Sequence, residues 1–408
     1  MKQRVVITGY GIHSCIGTDR EQVKTSLREG RSGIGLSKER KEFGYISALC
    51  GMVPPADLKG ILPRNERVTF GQQSAYAYFA SEQALAMAQL SQAYIDAHEV
   101  GILFGNDSCA EATLTAGNII MAKHDTRLAG KGAVFQELTS TVTMNLGTHY
   151  HLKGINMTLS AACASGSHAL GLAWLLVRQG LQECIVCGGA QETGPCATAS
   201  FDGLGAFSTR EDAPTEASRP FDRDRDGLVP SGGAAALIVE SLESARARGA
   251  RPIAEIVGYG FSGNGDHLTR PNADGLVRAM RHCLESANLQ PTDIDYINAH
   301  ATSTPAGDSV EASAIDTILQ GHPALVTSTK CFTGHEMWMA GASEAVYSLI
   351  MMEEGFVAPQ INLHHPDSEA AKLNIPTQRQ EVNINTILSN SFGFGGTNAT
   401  IALRRFQE

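Results

Sequence analysis

The sequence predicts an α/β protein built in two halves. Short apolar strands alternate with helical segments along the whole length, and no short repeat period is visible. A charged helix over 241–249 is followed by Ala250-Arg251-Pro252, which marks a boundary, so the expected halves are residues 1–250 and 251–408. The length of 408 residues suits two ordinary domains or one two-lobed unit with a substantial core. No linker is long or polar enough to imply freely moving domains.

Taken in order, Val5-Val6-Ile7 reads as a first buried strand and 100–104 as another. The runs 184–187, 234–239, 253–257, 294–298 and 399–403 read the same way. Helical patterns fall at 72–87, 165–179, 275–287 and 342–353. The stretch 208–226 is rich in Pro, Asp, Arg and Ser and is expected to be a long ordered loop. Cys184 and Cys187 form a CxxC, but no second pair or His cluster lies near it. Their flanks read as a buried strand entering a turn rather than a metal or redox site.

Composition excludes several classes. A net charge of -10 disfavours general nucleic-acid binding. The apolar run after the basic start stops at Gly9, too short for a signal-peptide core, and no stretch near 18 residues is apolar enough to span a membrane. Nine irregularly spaced cysteines fit reduced thiols, so a cytoplasmic location is expected.

Three motifs carry the chemistry. In Leu159-Ser160-Ala161-Ala162-Cys163-Ala164-Ser165-Gly166-Ser167, small residues leave room for a thioester at one thiol. A helix starting beside that thiol would favour its thiolate. Asn298-Ala299-His300-Ala301-Thr302-Ser303-Thr304-Pro305 follows a predicted strand, placing a ring nitrogen at a cleft with hydroxyls nearby. Ser328-Thr329-Lys330-Cys331-Phe332-Thr333-Gly334-His335 precedes an apolar helix. One cysteine and two histidines at strand ends are the combination thioester chemistry needs. A fourth segment, Ser389-Asn390-Ser391-Phe392-Gly393-Phe394-Gly395-Gly396-Thr397-Asn398, offers backbone amides that can approach a reacting oxygen. Neither it nor Gly9-Tyr10-Gly11 has the spacing of a dinucleotide fingerprint.

With these motifs in order, the sequence resembles the β-ketoacyl-acyl-carrier-protein synthases, the condensing enzymes of fatty acid and type II polyketide synthesis. The likeness runs from VVITGYGI and LREGRSGI to SNSFGFGGTNATIAL, essentially the whole chain. Two histidines, rather than His and Asn, make it similar to the elongating class. The resemblance implies the thiolase fold, two similar halves in a five-layered αβαβα body. It implies decarboxylative Claisen condensation of a malonyl-carrier unit with an enzyme-bound acyl group, without metal or redox cofactor. The expected partner is an acyl carrier protein, with a homodimer or a heterodimer with a related ketosynthase subunit.

The resemblance also implies residue roles. Cys163 would take the acyl group, while His300 and His335 would donate to the developing enolate. The amides of Cys163 and Phe392 would form the oxyanion hole, with Phe392 also gating the nucleophile. Lys330 would lie near the histidines with Glu311 as acidic partner, and Thr302 and Thr304 would bond the phosphopantetheine arm. Phe394, Gly395 and Glu311 are further candidates at the substrate site. Arg64 and Arg67 lie near a family carrier-docking patch. Lys123, Arg127 and Lys131, spaced by four, would share one face if helical.

The chain departs from the family pattern at Glu336-Met337-Trp338-Met339, at Ala301 for Gly and at Leu228 for Phe. These changes remove no catalytic group, and point either to a reshaped pocket or supporting shell with a specialised substrate, as in polyene-type members, or to repacking of the core without consequence for the substrate. A non-catalytic chain-length-factor subunit is the alternative, but would lack Cys163. A thiolase would want a second cysteine within 355–408, where none occurs.

Overall fold

Val5–His13 (β1) is an apolar run broken by Thr8 and two glycines and closed by His13, and the molecule is organised around it. The computed structural model describes residues 2–408. The first half adds Gly101–Gly105 (β2), Asn156–Leu159 (β3), Cys184–Gln191 (β4) and Gly233–Ser241 (β5). The second supplies Ala254–Gly263 (β6), Tyr296–Asn298 (β7), Leu325–Thr327 (β8), Thr386–Gly393 (β9) and Thr397–Arg405 (β10). Across the sheet the order is β8-β7-β9-β10-β6-β1-β5-β4-β2-β3. Each half therefore uses one pattern: its third, second, fourth, fifth and first strands lie side by side. In both, the second strand pairs parallel with the third and fourth, and the fourth and fifth pair antiparallel.

The repeat divides the chain between Ser241 and Ala254, but the halves do not hold separate sheets. β1 pairs antiparallel with β6 at Val6–Glu255 and Ile7–Ala254, joining them into one mixed ten-stranded sheet. Helices supply the other layers. Gln72–Met87 (α1) packs on β1 and β5 from outside. Its approach is so close that a Cβ on Gly11 would lie 2.0 Å from Ala80 O, which explains the Gly-x-Gly of β1. Ser165–Arg178 (α2) and Ala340–Glu354 (α5) pack together in the middle layer and touch strands of both halves. Ala273–Ala287 (α3) and Pro305–Leu319 (α4) cover the far face of the second half. Residues Ala340 to Met352 of α5 are all buried, as expected for a helix walled in on every side.

Three sheet strands were not anticipated from the sequence. β3 is an edge strand with Asn156 and Met157 exposed, β8 has three residues, and β9 contains the first half of the fourth segment, 389–393. The CxxC lies on β4 with both thiols buried. No helix among the described residues is long and apolar enough to cross a membrane.

Candidate active site

The nucleophile motif turns sharply between β3 and α2. Ala162 has φ +47, a left-handed conformation that costs a non-glycine residue about 1–2 kcal/mol. Side chains hold the turn: Ala162 N–H donates to Asp107 Oδ2 at 2.9 Å, and Ala161 N–H to Ser165 Oγ at 2.8 Å. Cys163 sits just before α2, 6 % exposed. Burial pushes its thiol up to about 11, while the Lys330 charge and the amides of Phe394 and of Cys163 itself pull it back. Burial thus works against the resting thiolate expected from the helix start.

His300 follows β7, and its N–H donates to Glu311 Oε1 at 2.8 Å. His335 is not at a strand end as expected. It follows the short helix Lys330–Thr333 and Gly334, whose φ of +70 turns the chain back. There its N–H donates to Val229 O at 2.6 Å, and its carbonyl accepts from Ser231 N–H at 2.8 Å. The ring lies with Nε2 3.0 Å from Cys163 Sγ and Nδ1 3.3 Å from the Met337 amide nitrogen. The amide can only donate, so Nδ1 accepts and the neutral ring carries its proton on Nε2, aimed at sulfur. The His300 ring stands nearly perpendicular to that of His335, with centroids 5.2 Å apart. Burial first, and the Lys330 charge second, hold both imidazoles well below their ordinary range, so they are neutral.

Lys330 is 1 % exposed and donates to Glu344 on α5, not to Glu311. Glu311 is occupied elsewhere, accepting from the amides of His300 and Ala301 and from Asn390. It therefore holds the His300 strand end, and its acceptors are not free for substrate. An acid inside the apolar pattern of α5 was the sequence signal for Glu344, because such a group demands a partner.

The amide facing Cys163 Sγ, beside the thiol's own, is that of Phe394 and not Phe392. The β9–β10 turn brings Phe394 toward sulfur, whereas the Phe392 ring packs edge-on against His300, centroids 6.1 Å apart. Phe394 is 38 % exposed and stacks on Phe201. Gly395, with φ +78, donates its N–H to Leu268 O at 2.7 Å, outside the cavity lining.

A cavity of about 320 Å³ joins these parts. Cys163, His300 and His335 line it with Phe201 and Leu228, and so do Thr302 and Thr304, their hydroxyls 3.2 Å apart. Ala301 lines it too, but Glu336, Met337, Trp338 and Met339 do not. Met337 and Trp338 instead pack behind Cys163 and Leu228 in a small apolar cluster. The ligand atoms of Cys163, His300 and His335 all lie within 4.8 Å of one another. A zinc ion there would need a lone pair on His335 Nε2, which the Met337 amide opposes by keeping the proton on that nitrogen.

The basic residues fall differently from their sequence spacing. Helix Ala110–Lys123 ends at Lys123, and Arg127 lies in a short turn paired with Asp125, so Lys123, Arg127 and Lys131 share no helical face. Arg64 is exposed and Arg67 half-buried. Arg64 and Lys131 line one shallow groove, bringing together single members of the two groups.

Residues 2–245 match the family model "Beta-ketoacyl synthase, N-terminal domain", and residues 253–364 match "Beta-ketoacyl synthase, C-terminal domain". The chain is 40% identical to 3-oxoacyl-[acyl-carrier-protein] synthase 1 of Escherichia coli (strain K12), covering 100% of both. Among solved structures it is similar to a beta-ketoacyl synthase from Burkholderia phymatum STM815, with TM-score 0.95, 35% identity and coverage of 99% and 100%. It is also similar to the ishigamide ketosynthase/chain length factor, with TM-score 0.92, 30% identity and full coverage of both chains.

Proposed function

The chain belongs to the beta-ketoacyl synthase family, and on that footing we propose how its residues carry out chain elongation. It is an acyltransferase that condenses a malonyl-carrier unit with an enzyme-bound acyl group, losing carbon dioxide and giving a β-ketoacyl-carrier product. The observation that carries the mechanism is Cys163 Sγ beside His335 Nε2, with His300 in the same cavity.

In the first step Cys163 sulfur bonds to the acyl carbonyl carbon and the carrier thiol departs, taking the proton the cysteine loses. The carbonyl oxygen gains negative charge, which the amides of Cys163 and Phe394 are oriented to stabilise. The His335 Nε2–H lowers the cost of the buried thiolate during attack. Malonyl thioester then occupies the channel past Thr302 and Thr304. Its carbonyl oxygen accepts hydrogen bonds from the neutral histidines as the carbon–carboxylate bond breaks and the electron pair forms the enolate. The enolate carbon bonds to the acyl carbon, the Cys163 sulfur–carbon bond breaks, and the thiolate takes up one proton from solvent, the proton consumed when a carboxylate leaves as carbon dioxide. Neutral rings suit this work, since they donate without a formal charge having to be buried. These steps call on no metal or redox cofactor.

The partner delivering both substrates is an acyl carrier protein, as the names of the curated relatives support. We assign its docking to the groove of Arg64 and Lys131. A homodimer is supported by the unpaired edge of β3 with Met157 46 % exposed, and by exposed Leu114, Met121 and Phe135 from 110–138. The test of the activity is incubation with acyl-carrier donors and malonyl carrier, with products identified by mass. A β-keto product two carbons longer is expected; carbon dioxide release without condensation would refute it.

A further inference from the structure

Glu336 has no place in the steps above, yet it stands between the catalytic His335 and Met337. It is 1 % exposed, and its carboxylate turns away from the cavity into α5. Its Oε2 accepts from Ser343 Oγ–H at 2.6 Å and its Oε1 from Tyr347 O–H at 2.7 Å. Both hydroxyls are fully buried in the first turns of that helix. Its carbonyl accepts from Met339 N–H at 3.1 Å, which closes the next turn.

Met337 has φ +49, a left-handed conformation that a side-chain-bearing residue avoids unless its surroundings impose it. In that conformation its N–H meets His335 Nδ1, the contact that assigns the imidazole proton to Nε2. The residue on the catalytic side of this strained link is Glu336, fixed at both oxygens to a helix buried on every side. Relaxation of Met337 into an ordinary conformation would swing its amide away, and the anchored side chain next to it resists that swing.

We propose that Glu336 is a positioning residue for His335. Through Ser343 and Tyr347 it ties the His335-Glu336-Met337 turn to α5, keeping the Met337 amide on Nδ1 and the Nε2–H directed at Cys163. The inference rests on the condensing reading for its activity consequences, but its geometric core concerns only the thiol and the ring.

The test uses the full-length protein with Glu336→Ala and Glu336→Gln. Gln keeps an acceptor and, because either hydroxyl can rotate to accept, keeps the tether; Ala removes it. Alkylation of Cys163 by iodoacetamide, followed by intact mass across pH 7 to 11, reads the Nε2–H to sulfur contact without any carrier substrate. Carbon dioxide release from malonyl carrier reads the same ring during reaction. Glu336→Ala is expected to alkylate at least tenfold more slowly at pH 8, with its midpoint moved upward, and to lose decarboxylation at least tenfold. Glu336→Gln is expected within threefold of the parent in both. Equal loss in both variants would move the role from tethering to charge and overturn the proposal. So would an Ala variant with an unshifted alkylation profile, including one whose only change is a lower melting temperature. If Glu336→Ala does not fold, Tyr347→Phe removes one tether alone and is expected to give a smaller upward shift; no shift would overturn the proposal. A parent protein that decarboxylates nothing while these alkylation differences persist would sink the condensing reading and leave the tether standing.

Discussion

His335 Nε2 lies 3.0 Å from Cys163 Sγ, and the Met337 amide at Nδ1 makes that nitrogen a donor to sulfur rather than an acceptor from it. The pair therefore differs from a thiol–imidazole couple in which the ring removes the proton. The buried thiol stays protonated at rest, and the ring lowers the cost of its ionised form when substrate arrives.

The alkylation rate of Cys163 should keep rising about tenfold per pH unit above pH 9, because burial has moved the thiol up to about 11. His335→Ala removes a hydrogen bond to a charged group, an effect of about 1.5–3 kcal/mol, or roughly ten- to a hundredfold in rate at pH 8. Mass spectrometry after timed iodoacetamide exposure measures both. A plateau near pH 9 in the parent would contradict the buried-thiol account.

Decarboxylation should persist well below pH 6.5. The sign follows from the depressed histidines: a ring whose pKa is lowered by burial and by Lys330 stays neutral as pH falls through the ordinary imidazole range. Carbon dioxide release from malonyl carrier between pH 5 and 8 tests this, and a half-maximal point near 6.5 would count against it. His300→Ala should lower that release about 10²–10³-fold, the scale of one lost donor to a developing oxyanion. Acyl transfer to Cys163 should survive in the same variant.

Much of this site was legible in the sequence because its residues are chemically distinctive. A cysteine among small residues and two histidines beside glycine and threonine announce themselves in the linear order. The strands were legible where apolar residues run together, as in β1, β4 and β5. They were not where the ladder is polar: Ser389-Asn390-Ser391 lacks an apolar run, yet lies buried in β9, with the Asn390 and Ser391 side chains bonded inside the body. The choice of Glu344 over Glu311 for Lys330 was also hidden, because it depends on how α5 meets the short helix at Lys330. A one-residue periodicity cannot decide between the amides of Phe392 and Phe394; only the β9–β10 turn does.

Lys330→Met should destabilise the fold, since it strips a buried acid of its partner at a cost of about 3–5 kcal/mol. Burial pushes Glu344 up and Lys330 pulls it back, so without the lysine Glu344 moves higher still. A folded-state carboxyl raised above its unfolded value contributes stability that is lost as pH rises. The melting-temperature deficit of Lys330→Met should accordingly be larger at pH 9 than at pH 6. Scanning calorimetry at both values checks it, and a larger deficit at pH 6 would reverse the assignment.

Leu228→Phe should shorten the acyl chains accepted. Leu228 lines the cavity and packs in the cluster that contains Cys163, Met337 and Trp338, so extra volume there has no free space behind it. Overpacking of this kind costs about 1–3 kcal/mol when side chains must shift. Competition among acyl-carrier donors of graded length, read as acyl-enzyme masses, should move toward shorter donors. An unchanged preference would take Leu228 out of the determinants of chain length.

The groove of Arg64 and Lys131 should be where the carrier docks. The protein carries a net charge of -10, so an acidic carrier meets overall repulsion and must be drawn in by a local basic patch. Arg64 is exposed, and neither it nor Lys131 has an ion-pair partner among the described residues. Both charges therefore remain available to a partner. Arg67, half-buried one turn further on beside Glu66, contributes less. Replacing Arg64 and Lys131 together by Glu should raise the KM for carrier-bound substrate about tenfold, acting mainly through encounter, with kcat nearly unchanged. The effect should fade as ionic strength rises from 0.01 to 1 M, because the screening length falls from about 30 to about 3 Å. A small thioester mimic that lacks the carrier should be turned over as by the parent. Equal losses with both substrates would indicate damage to the cavity, and unchanged kinetics with both would move the docking surface to another face.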